Sequence, residues 1–189
     1  MLSRPAIVVP EAQPLPSLRH VCLAVALTSA GGVLAILGAF LEEIRSGGVL
    51  VLFFGAPMIE EAMKPAGVYL TLLRSPYLQW RQSQIVALCA LAGLVFGLIE
   101  GGVYVLLYVP DAGFGFVLYR FTVTPVLHVL CSGIVGLGLT RGLIDWAAGR
   151  GKLQRSFRNS YLLAAGLHAA YNTSVFALAV TGVFEFETD

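Results

Sequence analysis

Four short patterns in the chain place ionisable and amide side chains about one helical turn apart. They are Glu60, Glu61 and Lys64; Glu100, four residues after Phe96; His128 with Ser132; and His168 with Asn172. Carboxylates and imidazoles are the groups best suited to take up and return protons, so a convergent set of them serves proton transfer and the activation of water. On a helix Glu60 precedes Lys64 at i, i+4 and Glu61 precedes it at i, i+3, so one carboxylate is neutralised locally and another is left over. The i, i+4 rule favours pairing Glu60 with Lys64, although Glu61 is still within reach. His128 with Ser132 and His168 with Asn172 are also i, i+4, which turns both members of each pair to one side of a helix. Ser132 and Asn172 each have two readings: direct contact with a reacting group, or a hydrogen bond that fixes the neighbouring histidine's tautomer.

All of these residues lie in apolar runs, and the rest of the sequence explains why. The chain has 189 residues, 57% hydrophobic and only 12% charged, against roughly 45–50% and ~25% in a soluble domain. Mean hydropathy is +0.81, which excludes an ordinary soluble globule. A net charge of +1 gives no sign of a nucleic-acid partner. The run 21–41 carries no charge and is long enough, at about 1.5 Å per residue, to cross a hydrocarbon core of about 30 Å. Further apolar stretches cover 47–73, 83–109, 116–140 and 159–184. The expected fold is all-α, a polytopic membrane helix bundle of about five transmembrane helices. The proline-rich segment 1–20 is expected to be a flexible cytosolic tail, 21–184 a single membrane-embedded domain, and 185–189 a short acidic external tail. Cys22, Cys89 and Cys131 form no disulfide framework and read as small buried apolar residues.

An ionised side chain in the middle of a span costs roughly 2.5–3.5 kcal/mol on insertion scales, so Glu60, Glu61, Lys64 and Glu100 require a reason to be there. Counted along their helices, these residues, His128 and His168 share one approximate depth, Glu100 slightly outward of the rest. Ionisable groups from four antiparallel helices at a common level predict a buried site. Gly93, Gly97 and Gly101 recur at every fourth position, a stripe that lets helix backbones approach closely and would bring Glu100 against a neighbour. Pro57, Pro65 and Pro125 lie within three residues of site positions and remove backbone donors there, so the freed carbonyls must find protein or water.

With their order along the chain, Glu60-Glu61-Ala-Met-Lys64, Phe96-Gly-Leu-Ile-Glu100, His128-Val-Leu-Cys-Ser132 and His168-Ala-Ala-Tyr-Asn172 resemble the motifs of the PrsW family of intramembrane proteases. That family is similar to the type II CAAX prenyl proteases and the bacteriocin-processing Abi proteins. The resemblance covers roughly residues 55–175. It implies a multi-helix protease-like membrane core, glutamate-centred peptide hydrolysis, and a membrane-anchored substrate such as an anti-sigma factor. The candidate catalytic residues are then Glu60, Glu61, Glu100, His128, His168 and Asn172, supported by Lys64 and Ser132, with His168 and Asn172 matching the oxyanion-binding pair of the CAAX branch. That branch generally has a histidine where this chain has Glu100, and an arginine one residue after the position of Lys64, so its water-activating pair does not transfer unchanged. No cofactor or metal ligand is assigned, and a zinc ion on the two histidines and a carboxylate is the alternative. The expected partners are the lipid bilayer and a membrane-anchored protein or peptide. A proton-coupled transporter and a non-catalytic scaffold or immunity protein are the competing classes.

Orientation follows from the basic residues of the short loops. With the N-terminus inside, Arg4, Arg19, Arg74, Arg81, Arg141, Arg150, Lys152, Arg155 and Arg158 are cytosolic, while only Arg45 and Arg120 are counted outside. A multi-pass protein of a prokaryotic cytoplasmic membrane with a cytosolic N-terminus is the expectation. Single cysteines at Ser75 and Gly113 check it with an impermeant maleimide on intact cells: position 113 is expected to label and position 75 to stay protected until the membrane is opened.

Overall fold

The computed structural model describes residues 14–46 and 51–182. Most of the expected N-terminal tail and all of the acidic 185–189 tail lie outside the described residues. Among those described there is no strand, and the chain is a succession of helices: α1 (Leu18–Ser46), α2 (Ala56–Met63), α3 (Ala66–Arg74), α4 (Gln82–Val103), α5 (Phe114–Gly138), α6 (Arg141–Ala147) and α7 (Arg155–Val180). Two π-helical segments, Val51–Gly55 and Tyr104–Tyr108, lead into α2 and out of α4.

Four helical stretches are long and apolar enough to cross a membrane: Leu18–Leu41, Gln82–Tyr108, Phe114–Gly138 and Arg155–Val180. The remaining expected span, 47–73, is built differently. Its described part runs as a π-helical turn, then α2, then α3, with a break at Lys64 and Pro65. Proline has no N–H for the helical ladder and its ring clashes with the preceding turn, so the backbone pauses after the Lys64 N–H has bonded the Glu60 carbonyl at 2.8 Å and restarts from the Pro65 carbonyl. Pro57 falls harmlessly in the first turn of α2. Pro125 stays inside α5.

The most extensive packing is between α4 and α5, and the glycine stripe sets it. A Cβ on Gly93 would run into the His128 carbonyl oxygen; on Gly97 it would lie 2.8 Å from the Pro125 Cα and 2.9 Å from the His128 ring; on Gly101 it would lie 2.8 Å from the Arg120 carbonyl oxygen. The stripe therefore fixes which residues of α5 face Glu100. At the other end of this helix pair the Gln82 side chain donates to the carbonyls of Gly136 at 2.7 Å and Leu139 at 3.3 Å, satisfying acceptors that the end of α5 leaves without helical partners. α7 lies against α5 and reaches α2, where the Tyr161 hydroxyl donates to the Met58 carbonyl at 2.9 Å.

An apolar cluster of Val68, Leu72, Ile85, Leu88, Cys89 and Leu139 fills the bundle toward the α3–α4 connection. Outward faces carry leucine, valine and phenylalanine, with Leu34, Leu130 and Leu163 each more than half exposed, which is the surface a lipid-facing helix presents. Cys89 and Cys131 are buried as expected, whereas Cys22 is on the exposed face of α1. With glycines at the contact, overpacking is the sensitive direction: Gly93→Ala is expected to destabilise the bundle by about 1–3 kcal/mol. Gly102→Ala, with open space around its Cβ, should be neutral or slightly stabilising, and thermal unfolding in detergent micelles distinguishes the two.

Candidate active site

The four motifs converge on one buried cluster. α2 carries Glu60 and Glu61 in its last turn, and Lys64 follows at its C-terminal boundary; Phe96 and Glu100 come from α4, Arg120, His128 and Ser132 from α5, His168 and Asn172 from α7. Glu60, Glu61, Lys64, His128, Ser132 and His168 are all buried, Lys64, Glu61 and Ser132 completely.

The Lys64 ammonium is the hub. Its Nζ donates to Glu61 Oε1 at 2.7 Å and lies 2.8 Å from His128 Nδ1. Glu60 Oε2 is 3.2 Å away, at ion-pair distance but outside hydrogen-bond geometry. The ring of Phe96 lies beneath it, 4.1 Å to the centroid, adding a cation–π contact. Sequence spacing favoured the Glu60 pairing, but the closer one is with Glu61 at i, i+3.

Glu61 is fully engaged. Besides Lys64 it accepts from His168 Nδ1 at 3.0 Å and from the Ser132 hydroxyl at 3.4 Å. Glu60 is not: its Oε2 has no hydrogen bond, and the nearest imidazole nitrogen, His168 Nε2, is 3.8 Å away. Because a carboxylate only accepts, the bond to Glu61 puts a proton on His168 Nδ1. The second histidine is held in the same style, its Nε2 on Glu100 Oε2 at 3.0 Å and its Nδ1 on Lys64. The two rings meet edge to face, 4.9 Å between centroids. Asn172 lies one turn beyond His168 on α7, partly buried, and its side chain makes no hydrogen bond to a described residue.

Two contributors were not singled out from the sequence. Phe96, noted only as part of a motif, supports both Lys64 and His128. Arg120, counted with the outer loops, lies inside α5 with its guanidinium buried, 3.1 Å from Glu100 Oε2 and stacked over the Tyr104 ring. Its signal was a charge within the apolar run 116–140. Three carboxylates thus face two cations, leaving the cluster one positive charge short with both imidazoles neutral.

The donors also fit a divalent metal. Glu60, His128 and His168 each offer a ligand atom within 4.8 Å of the others, and two imidazoles with one carboxylate is a donor set of catalytic zinc. Each imidazole carries an outer carboxylate, Glu100 or Glu61, as metal-bound histidines do; the nitrogen left to His128 as a ligand, Nδ1, is held by Lys64 here, so a metal would have to displace the ammonium from it. Glu60 Oε2 is buried with no hydrogen bond. The sequence reading assigned no metal ligands; the fold brings these three together.

Ionisable side chains from four helices of a membrane bundle thus meet in one buried cluster, a candidate active site. Residues 16–186 match the family described as PrsW family intramembrane metalloprotease, and the chain belongs to that family. No curated protein and no solved structure matches it. The chain is accordingly an integral membrane protein of an intramembrane protease family, and its substrates are membrane proteins in a lipid bilayer.

Removing one partner of a buried ion pair strands the other, at a cost of roughly 3–5 kcal/mol. Lys64→Met is therefore expected to destabilise the bundle by about that amount, far more than Arg150→Met, whose pairing with Asp145 is exposed. Chemical denaturation of the two variants in one detergent makes the comparison.

Proposed function

We propose that the chain is an intramembrane endopeptidase that cuts a peptide bond of a membrane-anchored protein or peptide, with Glu60 as the base that activates the attacking water. The observation that carries this reading is the contrast between the two adjacent carboxylates. Glu61 is spent on Lys64, His168 and Ser132, while Glu60 has a buried oxygen with no hydrogen bond, 3.8 Å from an imidazole nitrogen.

In the reaction, a water gives its proton to Glu60 Oε2 as its oxygen bonds the peptide carbonyl carbon, and the carbonyl electron pair moves onto oxygen. The proton missing from the cluster's charge balance, placed on His168 Nε2, makes His168 a donor to that oxyanion while Glu61 steadies the other side of the ring. The free amide of Asn172, one turn away, supplies a second donor. When the C–N bond breaks, Glu60 returns its proton to the leaving amine. His128 and Glu100 are the proton partners behind this pair, and Glu100, with 20% of its side chain exposed, sits where the cluster is most open. Lys64 and Ser132 hold Glu61 in place. The catalytic unit is the stretch 21–184, set in a prokaryotic cytoplasmic membrane with a cytosolic N-terminus, and an anti-sigma factor is the substrate class suggested by the resemblance of the motifs.

A second reading is favoured by the Glu60, His128 and His168 cluster. Those residues would hold a divalent metal, which supplies Lewis-acid polarisation of water and carbonyl when bound. Glu60 would then serve as ligand, and the proton would fall to the neighbouring carboxylates.

Incubating the purified protein with peptides from membrane-protein segments and locating cuts by mass spectrometry tests the proposal. Glu60→Gln is expected to abolish cleavage. Losing one oxyanion donor slows turnover by roughly 10²–10³, so Asn172→Ala should show that loss with little change in KM. A scaffold would show binding without a cut, and a transporter ion flux instead. Full activity after exhaustive chelation supports the glutamate base; loss on chelation with recovery on adding zinc transfers the role to the metal. Near-native turnover of Glu60→Gln would overturn the assignment of the base.

A further inference from the structure

Arg120 belongs to none of the four motifs, yet its side chain is buried nearly two turns inside α5. An ionised guanidinium within a span needs a partner, and Glu100 is that partner: Nη2 lies 3.1 Å from Glu100 Oε2, at ion-pair distance but outside hydrogen-bond geometry. The same oxygen, Glu100 Oε2, lies 3.0 Å from His128 Nε2. Three side chains thus share one atom, and the guanidinium is the permanently charged one. Its plane is fixed from below by the Tyr104 ring, 3.7 Å from Cζ to centroid. Its place along α4 is fixed by the contact of Gly101 with the Arg120 backbone, where no Cβ fits.

We propose that Arg120 is a positioning residue of the site: it holds the Glu100 carboxylate on His128 Nε2 and so keeps the Nδ1 lone pair of His128 turned to Lys64. A carboxylate only accepts, so while Glu100 stays on Nε2 the ring proton stays there too. Lys64 then keeps its bond to Nδ1 along with its two carboxylates. Glu100 is also the most exposed of the three carboxylates, with 20% of its side chain exposed, and the guanidinium is the permanently charged group in contact with it. Without it, Lys64 alone would face the ring, and His128, free to turn off the ammonium, would sample both tautomers. A guanidinium that merely offsets the charge of Glu100 would leave the tautomer alone.

Ring-nitrogen NMR of 15N-histidine-labelled protein in lipid nanodiscs reads this without a substrate. In the wild type, His128 is expected to show one neutral tautomer, protonated at Nε2. Arg120→Gln should give signals of both tautomers for His128 while leaving those of His168 in place, which serves as the control for folding. Arg120→Met repeats the measurement should Arg120→Gln fail to fold. The kinetic arm rests on the proteolytic reading: on a peptide that the wild type cuts, Arg120→Gln is expected to lower kcat by about 10–100-fold at unchanged KM, the usual scale for an outer partner of a catalytic group. Arg120→Lys, which keeps a cation beside Glu100, should recover most of that loss. An unchanged His128 spectrum in Arg120→Gln overturns the proposal, as does a rise in KM at constant kcat, which would make Arg120 a substrate-binding group. If no peptide is cut by the wild type, the proteolytic reading fails, while the spectra still decide the role of Arg120.

Discussion

The structure turns on one buried ammonium. Lys64 sits inside an apolar bundle with no exposed surface, and its charge is tolerable only because Glu61, Glu60, His128 and the face of Phe96 surround it. Those partners come from three helices, so the cost of burying the charge binds α2, α4 and α5 to one arrangement. α7 joins through Glu61, which uses the same carboxylate oxygen for Lys64 and for His168. In a low-dielectric interior a half-satisfied network of this kind is worse than none. Its completeness around Glu61 therefore makes the gap at Glu60 informative. Glu60 Oε2, buried and without a hydrogen bond among the described residues, stands 3.8 Å from His168 Nε2.

The fold reaches this arrangement by devices suited to a lipid surrounding, where apolar burial between helices supplies little driving force. Glycines on α4 let α5 approach until His128 and Arg120 are pressed against the Glu100 side of the helix. Pro65 ends α2 one residue after Lys64, so the helix that carries the paired glutamates is short. Around the site apolar residues face outward while Glu60, Glu61, Lys64, Glu100 and Arg120 face inward, each with a counterpart on another helix or one turn away.

Charge balance links the architecture to the chemistry. Three carboxylates and two cations leave room for one more positive charge, and the proposed reaction puts it between Glu60 and His168. A proton placed there makes an acid and base pair, and a divalent ion placed there uses the same donors. The family's description as metalloproteases and the glutamate-centred reading therefore address one locus. Glu100 and Glu61 serve both, since each orients an imidazole whichever charge is present.

Much of this was legible in the sequence because spacing along a helix fixes which side chains share a face. The apolar runs gave an all-α membrane bundle, and the four motifs at one depth gave a buried site. The stripe of Gly93, Gly97 and Gly101 announced a close helix contact. Spacing does not fix how one helix is rotated against another, and there the fold decided. It made Glu61 the nearer partner of Lys64, where i, i+4 spacing favours Glu60. It assigned each ring nitrogen through contacts between residues 64 and 128 and between 61 and 168, separations that no local pattern spans. It drew Arg120 inward from what read as an outer loop, and it gathered Glu60, His128 and His168 into a ligand set that no sequence spacing prescribes. A 3.6-residue repeat specifies a face; only the packed bundle specifies what that face meets.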